Sequence, residues 1–224
     1  MATVLNPTYR TRLGYQAALL GGMCYLMSML LIGGNTATHE LIDEHVLNDK
    51  LALLAQVMPA SMYDNDPIAD SELISDSDFF KDPVEVLPAR MGNEFAGVAL
   101  NITVQGWGGP LNFIMAVDAS GEILGVRVIT HKETPGLADK IELDKDDWIT
   151  SFDGKSLANT SHIQWAVKKD NGEFDQFTGA TITPRAVVKA VHEGLAVFDA
   201  NRAAILSSAT PDADPTNEGG KDHE

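Results

Sequence analysis

The chain has 224 residues, and 44% of them are apolar, which suits one packed domain together with one very apolar segment. Sixteen basic and 32 acidic residues give a net charge of −16, and such a surface repels nucleic acid, so nucleic-acid binding is excluded as a function class. The single cysteine, Cys24, cannot build a disulfide within the chain, a zinc cluster or a cysteine-ligated iron–sulfur cluster. Any redox chemistry must therefore come from a bound cofactor.

The first feature along the chain is an uncharged apolar segment from Leu13 to Gly33. At a rise of about 1.5 Å per residue, a helix of this length spans roughly 30 Å, the thickness of the hydrocarbon core of a bilayer. Arg10 and Arg12 precede the segment, and the first charged residue after it is Glu40, so the N-terminus is predicted to be cytoplasmic and the rest to be outside. A cleaved signal peptide is the alternative, but the segment is long for one and lacks a convincing cleavage site.

The next part of the chain, residues 34–90, is interpreted as a helix and a connector. The pattern of residues 39–57 is typical of an amphipathic helix that ends at Pro59. An acidic stretch with turn residues then continues to Pro88 and is predicted to be irregular.

Residues 91–206 are predicted to form an α+β domain with an antiparallel sheet and packed helices. Strand-like alternation begins near Phe95, and residues 111–117 and 123–130 read as two strands joined by a hairpin turn. A helix is predicted from Pro184 to about residue 201, with an apolar stripe formed by Val187, Val188, Val191, Leu195 and Phe198. Residues 207–224 are polar and acidic, and we predict a disordered tail.

A loop that enters this helix carries the most informative residues. Thr183 is a good N-cap and Pro184 a good first helical residue. Gly179 and Ala180 have almost no side chain, so a bulky group can approach the backbone. A phosphate on the Thr181 hydroxyl would meet free backbone N–H groups and the positive end of the helix dipole. The residues thus favour an anion site at a helix start, although an ordinary capped helix fits equally well.

The sequence Asp175-Gln-Phe-Thr178-Gly179-Ala180-Thr181 resembles the flavin-attachment motif of a known family, the FMN-binding domains of Rnf and Na⁺-translocating NADH:quinone reductase complexes. The resemblance implies that Thr181 carries FMN through a phosphoester bond, with Asp175, Thr178, Gly179 and Ala180 as the surrounding motif. It also implies a flavin transferase that draws on FAD.

A second segment, Glu133-Thr134-Pro-Gly-Leu137-Ala138, is similar to the Glu-Thr-Pro-Gly-Leu-Gly signature of RnfG-type proteins. Proline fixes one φ angle and glycine permits the next, so a tight turn is predicted. The resemblance implies that Glu133, Thr134 and Leu137 approach the flavin ring. Ala138 replaces the usual glycine, and alanine resists positive φ. Without the resemblance, the segment reads as an ordinary turn after a hairpin.

A third segment, residues 105–111, resembles the aromatic-glycine turn that precedes the hairpin in the same family. Trp107 would lie against the flavin there, because a flat aromatic surface stacks well, and a buried structural tryptophan is the alternative. The histidines lack metal-ligand spacing, and neither a Ser-His-Asp set nor paired carboxylates emerge. No metal and no acid–base catalytic residue are expected.

The resemblance covers most of the chain in the family's order, and the residues after Thr181 are closer to the RnfG type than to the NqrC type. It implies an electron-transfer subunit with covalent FMN in an Rnf-type ion-translocating ferredoxin/NAD oxidoreductase, not catalytic alone. It would be a single-pass protein of a bacterial inner membrane, with a periplasmic FMN domain and with integral-membrane and iron–sulfur subunits as partners. The alternatives are an NqrC-type subunit of a quinone reductase, a flavin-free assembly subunit and a periplasmic anion-binding module.

Overall fold

The computed structural model describes residues 13–75, 79–92 and 94–208, without the side chains of residues 36–49, 207 and 208. The predicted cytoplasmic segment 1–12 and residues 209–224 of the predicted tail lie outside the described residues. The chain divides into two compact units, one up to Asp49 and one from Lys50 onward.

The N-terminal part is a single helix, α1 (Leu13–Val57). Two helices were expected, but Gly33 and Gly34 do not end the first, because glycine only weakens a helix whereas proline breaks it, and no proline follows until Pro59. Within the described residues, one stretch, Leu13–Asn35, is long and apolar enough to cross a membrane, in agreement with the predicted span. Its large apolar side chains are exposed, among them Leu19, Leu20, Met23, Leu26, Leu30 and Ile32.

The second unit is built on a five-stranded antiparallel sheet in which neighbours in sequence are neighbours in space. The strands are β1 (Glu72–Ile74), β2 (Val84–Met91), β3 (Glu94–Gln105), β4 (Pro110–Asp118) and β5 (Ile123–Thr130). The α+β class and the hairpin between β4 and β5 are confirmed: Asp118 Oδ1 accepts from the backbone N–H groups of Ser120 and Glu122 at 2.8 and 2.9 Å.

The expectation of an irregular connector through Pro88 is wrong, because β1 and β2 lie within it. Proline cannot donate to a sheet ladder, so Pro88 argued against a strand. It nevertheless pairs in register with Val98 in the middle of β2. The sheet therefore begins before residue 91, the predicted start of the domain.

Helix α2 (Ile182–Ser208) covers one face of the sheet, and the end of α1 covers the other. Alternate residues of β3 face the two layers: Val98 and Leu100 belong to the core with α2, and Ala99 to the core with α1. The α1 layer is contributed by Leu54, Val57 and Met58. Because both faces are buried, the strands are apolar along much of their length.

The segment between β5 and α2 is a long loop fastened by aromatic contacts. The Trp148 ring lies edge-on to that of Phe177, with centroids 5.1 Å apart, and the Phe152 ring stacks on that of Phe174 at 4.6 Å. The Trp148 indole N–H donates to the carbonyl of Asp175 at 2.8 Å. These contacts hold residues 174–177, which lead into the segment Thr178–Thr181.

Candidate functional site

Three loops that are far apart in sequence converge on one open cleft of about 260 Å³. They are the turn between β3 and β4, the turn after β5, and the loop that enters α2. The cleft is lined by Trp107, Thr134, Leu137, Ala138, Gly179, Ala180, Thr181 and Ile182. The three segments singled out in the sequence are therefore brought together.

The turn after β5 has the predicted form. The backbone N–H of Leu137 donates to the carbonyl of Thr134 at 3.2 Å, and Gly136 has a φ of +78°. Ala138 has a φ of −110°, so this position does not need glycine. The expected conflict at Ala138 is absent, and its side chain is buried at the floor of the turn.

The start of α2 differs from the prediction. The first helical residue is Ile182, so Thr181 occupies the N-cap position, and its carbonyl accepts from the Arg185 N–H at 3.4 Å. The prediction of Thr183 as N-cap is wrong: it lies inside the helix, is fully buried, and its hydroxyl donates to Glu133 Oε2 at 2.7 Å. Pro184 is tolerated in the first turn, because N–H groups there have no partner within the helix. Thr181 itself is partly exposed.

Trp107 stands at the rim of the cleft with 69% of its surface exposed, so the alternative of a buried structural tryptophan is wrong. The turn that carries it is closed by a hydrogen bond from the Gly106 N–H to the Gly109 carbonyl at 2.9 Å. An exposed tryptophan on a short, closed turn offers a flat apolar surface whose position is fixed by the backbone.

Glu133 does not line the cleft. The residue is 5% exposed, and its carboxylate lies between the Trp107 turn and the first turn of α2. The resemblance implied that Glu133 approaches the flavin together with Thr134 and Leu137. In the structure its carboxylate accepts hydrogen bonds from the backbone N–H of Gly108 and the hydroxyl of Thr183.

Two residues of the attachment motif face away from the cleft. Asp175 and Thr178 line a separate polar depression of about 500 Å³, and the Asp175 carboxylate pairs with Lys168 Nζ at 2.7 Å. Arg185 does not line the cleft. It makes a bidentate ion pair with Asp170, in which Nε donates to Oδ2 at 2.5 Å and Nη2 to Oδ1 at 2.7 Å. These hydrogen bonds from Arg185 hold the pKa of Asp170 below its usual value.

The chain is similar to known proteins over most of its length. Residues 106–196 match the FMN-binding domain. The chain is 50% identical, over 204 residues, to the G subunit of the ion-translocating oxidoreductase complex of Stutzerimonas stutzeri, with 91% of this chain and 88% of that protein covered. The chain belongs to the RnfG family. The corresponding protein of Cereibacter sphaeroides is 46% identical over 196 residues, covering 87% of this chain and 89% of that protein.

A solved structure is also similar to this member of the RnfG family. It is the crystal structure of Shewanella oneidensis NqrC, with 21% sequence identity and a TM-score of 0.44. The match covers 66% of this chain and 73% of that one.

The lining of the cleft in this RnfG-family chain suits FMN, which has a flat aromatic ring system and a phosphate at the end of a ribityl chain. Trp107, Leu137 and Ile182 expose 69, 41 and 46% of their surfaces, unusual for large apolar side chains that meet at one place. Gly179 and Ala180 add almost no side-chain bulk to the lining. Next to Thr181, the first turn of α2 presents N–H groups without partners in the helix and a partial positive charge, which suit an anion.

Two cleft residues, Ala138 and Ile182, were missed in the sequence. The sequence does indicate a role for Ile182 in the cleft, because it is a large apolar residue directly after the attachment threonine and outside the apolar stripe of α2. Within the described residues, no group of three or more histidine, cysteine, aspartate or glutamate side chains is placed to hold a metal ion.

Proposed function

We propose that this chain carries FMN covalently on the hydroxyl of Thr181 and transfers electrons within an Rnf-type ion-translocating oxidoreductase complex. The observation that carries the proposal is the position of Thr181, which lies in the cleft, partly exposed, immediately before the first helical residue of α2. When bound, FMN supplies the redox chemistry, because it accepts and releases one or two electrons.

Attachment is a phosphoryl transfer without any change of oxidation state. The oxygen Oγ1 of Thr181 forms a bond to the phosphorus of the FMN half of FAD, and the bond from that phosphorus to the bridging oxygen of the pyrophosphate breaks. AMP leaves with this oxygen, and the threonine proton passes to a base of the flavin transferase. The exposure of Thr181 gives such an enzyme access to the hydroxyl.

The residues of the chain bind and orient. The backbone N–H groups of Ile182 and Thr183 in the first turn of α2 would bind the phosphate. The apolar surfaces of Trp107, Leu137 and Ile182 would hold the ring and exclude water from it. A covalent bond suits a domain on the periplasmic side of the inner membrane, where a dissociated cofactor would be lost. The electrons would be exchanged with integral-membrane and iron–sulfur subunits, so the chain alone is not an enzyme.

The test is flavin fluorescence on denaturing gels. The wild-type chain, Thr181→Ala and Thr181→Ser are each expressed with a flavin transferase. Thr103→Ala is the control, since Thr103 is an exposed threonine on β3 that is not among the residues that line the cleft. We expect fluorescent bands for the wild type and the control, none for Thr181→Ala and a weaker band for Thr181→Ser, with the adduct located by mass spectrometry. A dark wild-type band beside a fluorescent positive control would refute covalent FMN and favour the flavin-free assembly subunit.

A further inference from the structure

One buried carboxylate, that of Glu133, joins the turn that carries Trp107 to the first turn of α2. Its Oε1 accepts from the backbone N–H of Gly108 at 3.2 Å, and its Oε2 accepts from the hydroxyl of Thr183 at 2.7 Å. Glu133 is 5% exposed and Thr183 is fully buried. Hydrogen bonds to a carboxylate are stronger than those between neutral groups, and a buried carboxylate that loses them is costly.

The turn of residues 106–109 is shaped to admit this carboxylate. A Cβ atom on Gly106 would overlap Glu133 Oε1, and a Cβ atom on Gly108 would overlap the carbonyl oxygen of Lys132. Glycine at these two positions is therefore required by the close approach of the Glu133 segment. The contacts with Glu133 and Lys132 thus account for the glycines that flank Trp107.

The backbone of Glu133 is fixed as well. Its N–H donates to Nδ1 of His131 at 3.0 Å, and Nε2 of the same ring is hydrogen-bonded to Glu142 Oε1 at 2.5 Å. The carboxylate thus projects from a segment held at both its main chain and its side chain, which makes it a rigid link.

We propose that Glu133 is a positioning residue that forms the cleft before any ligand arrives. Its contacts reach Gly108, which follows Trp107, and Thr183, which lies two residues after Thr181, so one side chain sets the distance between the aromatic rim and the attachment hydroxyl. Its neighbour Thr134 lines the cleft between them. A site arranged in advance does not spend binding free energy on ordering its loops. The role in attachment depends on the proposed function, but the link between the two loops does not.

The experiment compares five variants of the full chain, purified without flavin in detergent. Glu133→Ala removes both hydrogen bonds, and Thr183→Val removes one while keeping the shape of the side chain. Thr183→Ser restores the hydroxyl, and in Glu133→Gln the amide oxygen can still accept from Gly108 while its NH₂ group faces Thr183. Glu193→Gln is the matched control, because it removes a carboxylate from α2 that pairs with Lys189 at 3.5 Å, away from the cleft.

Two quantities are measured for each variant. One is the initial rate of flavin attachment by a purified transferase with FAD. The other is hydrogen exchange in peptides that cover residues 106–109 and 181–188, the second of which includes the hydrogen-bonded Arg185 amide. We expect Glu133→Ala and Thr183→Val to lower the rate on the order of tenfold and to speed exchange in both peptides, since unpaired buried groups open the contact. Thr183→Ser and the Glu193→Gln control should show the attachment rate and the exchange of the wild type. For Glu133→Gln, both quantities should lie between those of the wild type and those of Glu133→Ala.

A wild-type attachment rate together with unchanged exchange in Glu133→Ala would overturn the inference. If Glu133→Ala does not fold, the pair Thr183→Val and Thr183→Ser decides, because equal rates and equal exchange in the two would also overturn it. A general loss of structure would speed exchange throughout the chain, whereas the proposed role confines it to the two peptides. If the wild type accepts no flavin while a positive control does, the proposed function fails, and exchange in the flavin-free chain still tests the link.

Discussion

A Cβ atom on Gly179 would stand 3.0 Å from Cδ2 of Leu137, so the attachment loop and the turn after β5 touch without space for a side chain between them. Gly179 also has a φ of +84°, a left-handed conformation that residues other than glycine adopt at a cost. Two of the segments found in the sequence therefore depend on each other for the shape of the cleft.

Gly179→Ala should destabilise the chain by about 1–2 kcal/mol through the backbone conformation, with a further loss from the contact with Leu137. It should also lower flavin attachment, because the loop before Thr181 must shift. The measurement is thermal unfolding in detergent, for the single variants Gly179→Ala and Leu137→Ala and for the double variant. Leu137→Ala removes the contact with the new methyl group but leaves the positive φ, so we expect the double variant to regain only part of the stability that Gly179→Ala loses. Full recovery would show that the backbone conformation is not strained.

Trp107→Ala should leave stability within about 0.5 kcal/mol of the wild type, because exposed side chains contribute little to folding. In the flavin-loaded protein it should raise flavin fluorescence, since an aromatic ring stacked on the flavin quenches emission. Trp165→Ala is the contrasting variant: Trp165 is 7% exposed and stacks on Phe174 with ring centroids 5.6 Å apart. Its loss should cost about 3–5 kcal/mol.

These two tryptophans can be compared directly by chemical unfolding and by flavin emission under native conditions. Equal destabilisation by the two substitutions would contradict the exposed position of Trp107. Unchanged flavin emission in Trp107→Ala would remove this residue from the proposed flavin contacts.

The anchor gives a prediction about topology. Arg10 and Arg12 are expected to retain the N-terminus in the cytoplasm, which places residue 208 on the periplasmic side. Alkaline phosphatase fused after residue 208 should therefore be active. A fluorescent protein that does not fold after export should be dark at the same position. Replacing both arginines with glutamate should weaken this orientation. A bright fluorescent fusion and an inactive phosphatase fusion would reverse the proposed location of the domain.

The parts of the fold that the sequence predicted are those coded by local pattern. Alternation near Phe95 indicated β3, runs of branched apolar residues indicated β4 and β5, and the turn at Asp118–Gly121 is made by its own residues, so neighbouring positions sufficed. β2 was missed because Pro88 argues locally against a strand, whereas its pairing with Val98 is a tertiary fact. α1 was divided in two because the uncharged apolar segment ends at Gly33 and the amphipathic pattern begins only at residue 39.

In the site, too, some features follow from the local sequence and others only from tertiary contacts. The segment Thr181-Ile-Thr183-Pro offers two threonines as N-cap, and the choice is settled by Glu133, which is 50 residues before Thr183 and engages its hydroxyl. A motif that is contiguous in sequence also need not face one side, as Asp175 shows by lying outside the cleft. The resemblance identified most of the cleft-lining residues, but their arrangement required the fold.

His192 makes the stability of the domain depend on pH. Its ring on α2 lies 5.2 Å from that of His162 and 5.5 Å from that of Trp165, measured between centroids. Burial, and then the neighbouring His162, lower the pKa of His192 below its ordinary value of 6.5. The folded chain therefore favours the neutral imidazole, whereas the unfolded chain takes up a proton as the pH falls through 6.5.

The contribution of His192 is thus fully present above pH 6.5 and is lost progressively as the pH falls below it, through the lowered pKa of the folded state. Thermal unfolding measured in steps from pH 8 to about pH 5 should show this decline in the wild type. His192→Gln should flatten it because the titrating group is gone, and His162→Gln should reduce it because one of the two causes is removed. Carboxylates such as Asp170, whose pKa is lowered, act at more acidic pH and do not overlap this window. A decline of the same size in His192→Gln would assign the pH dependence to another group.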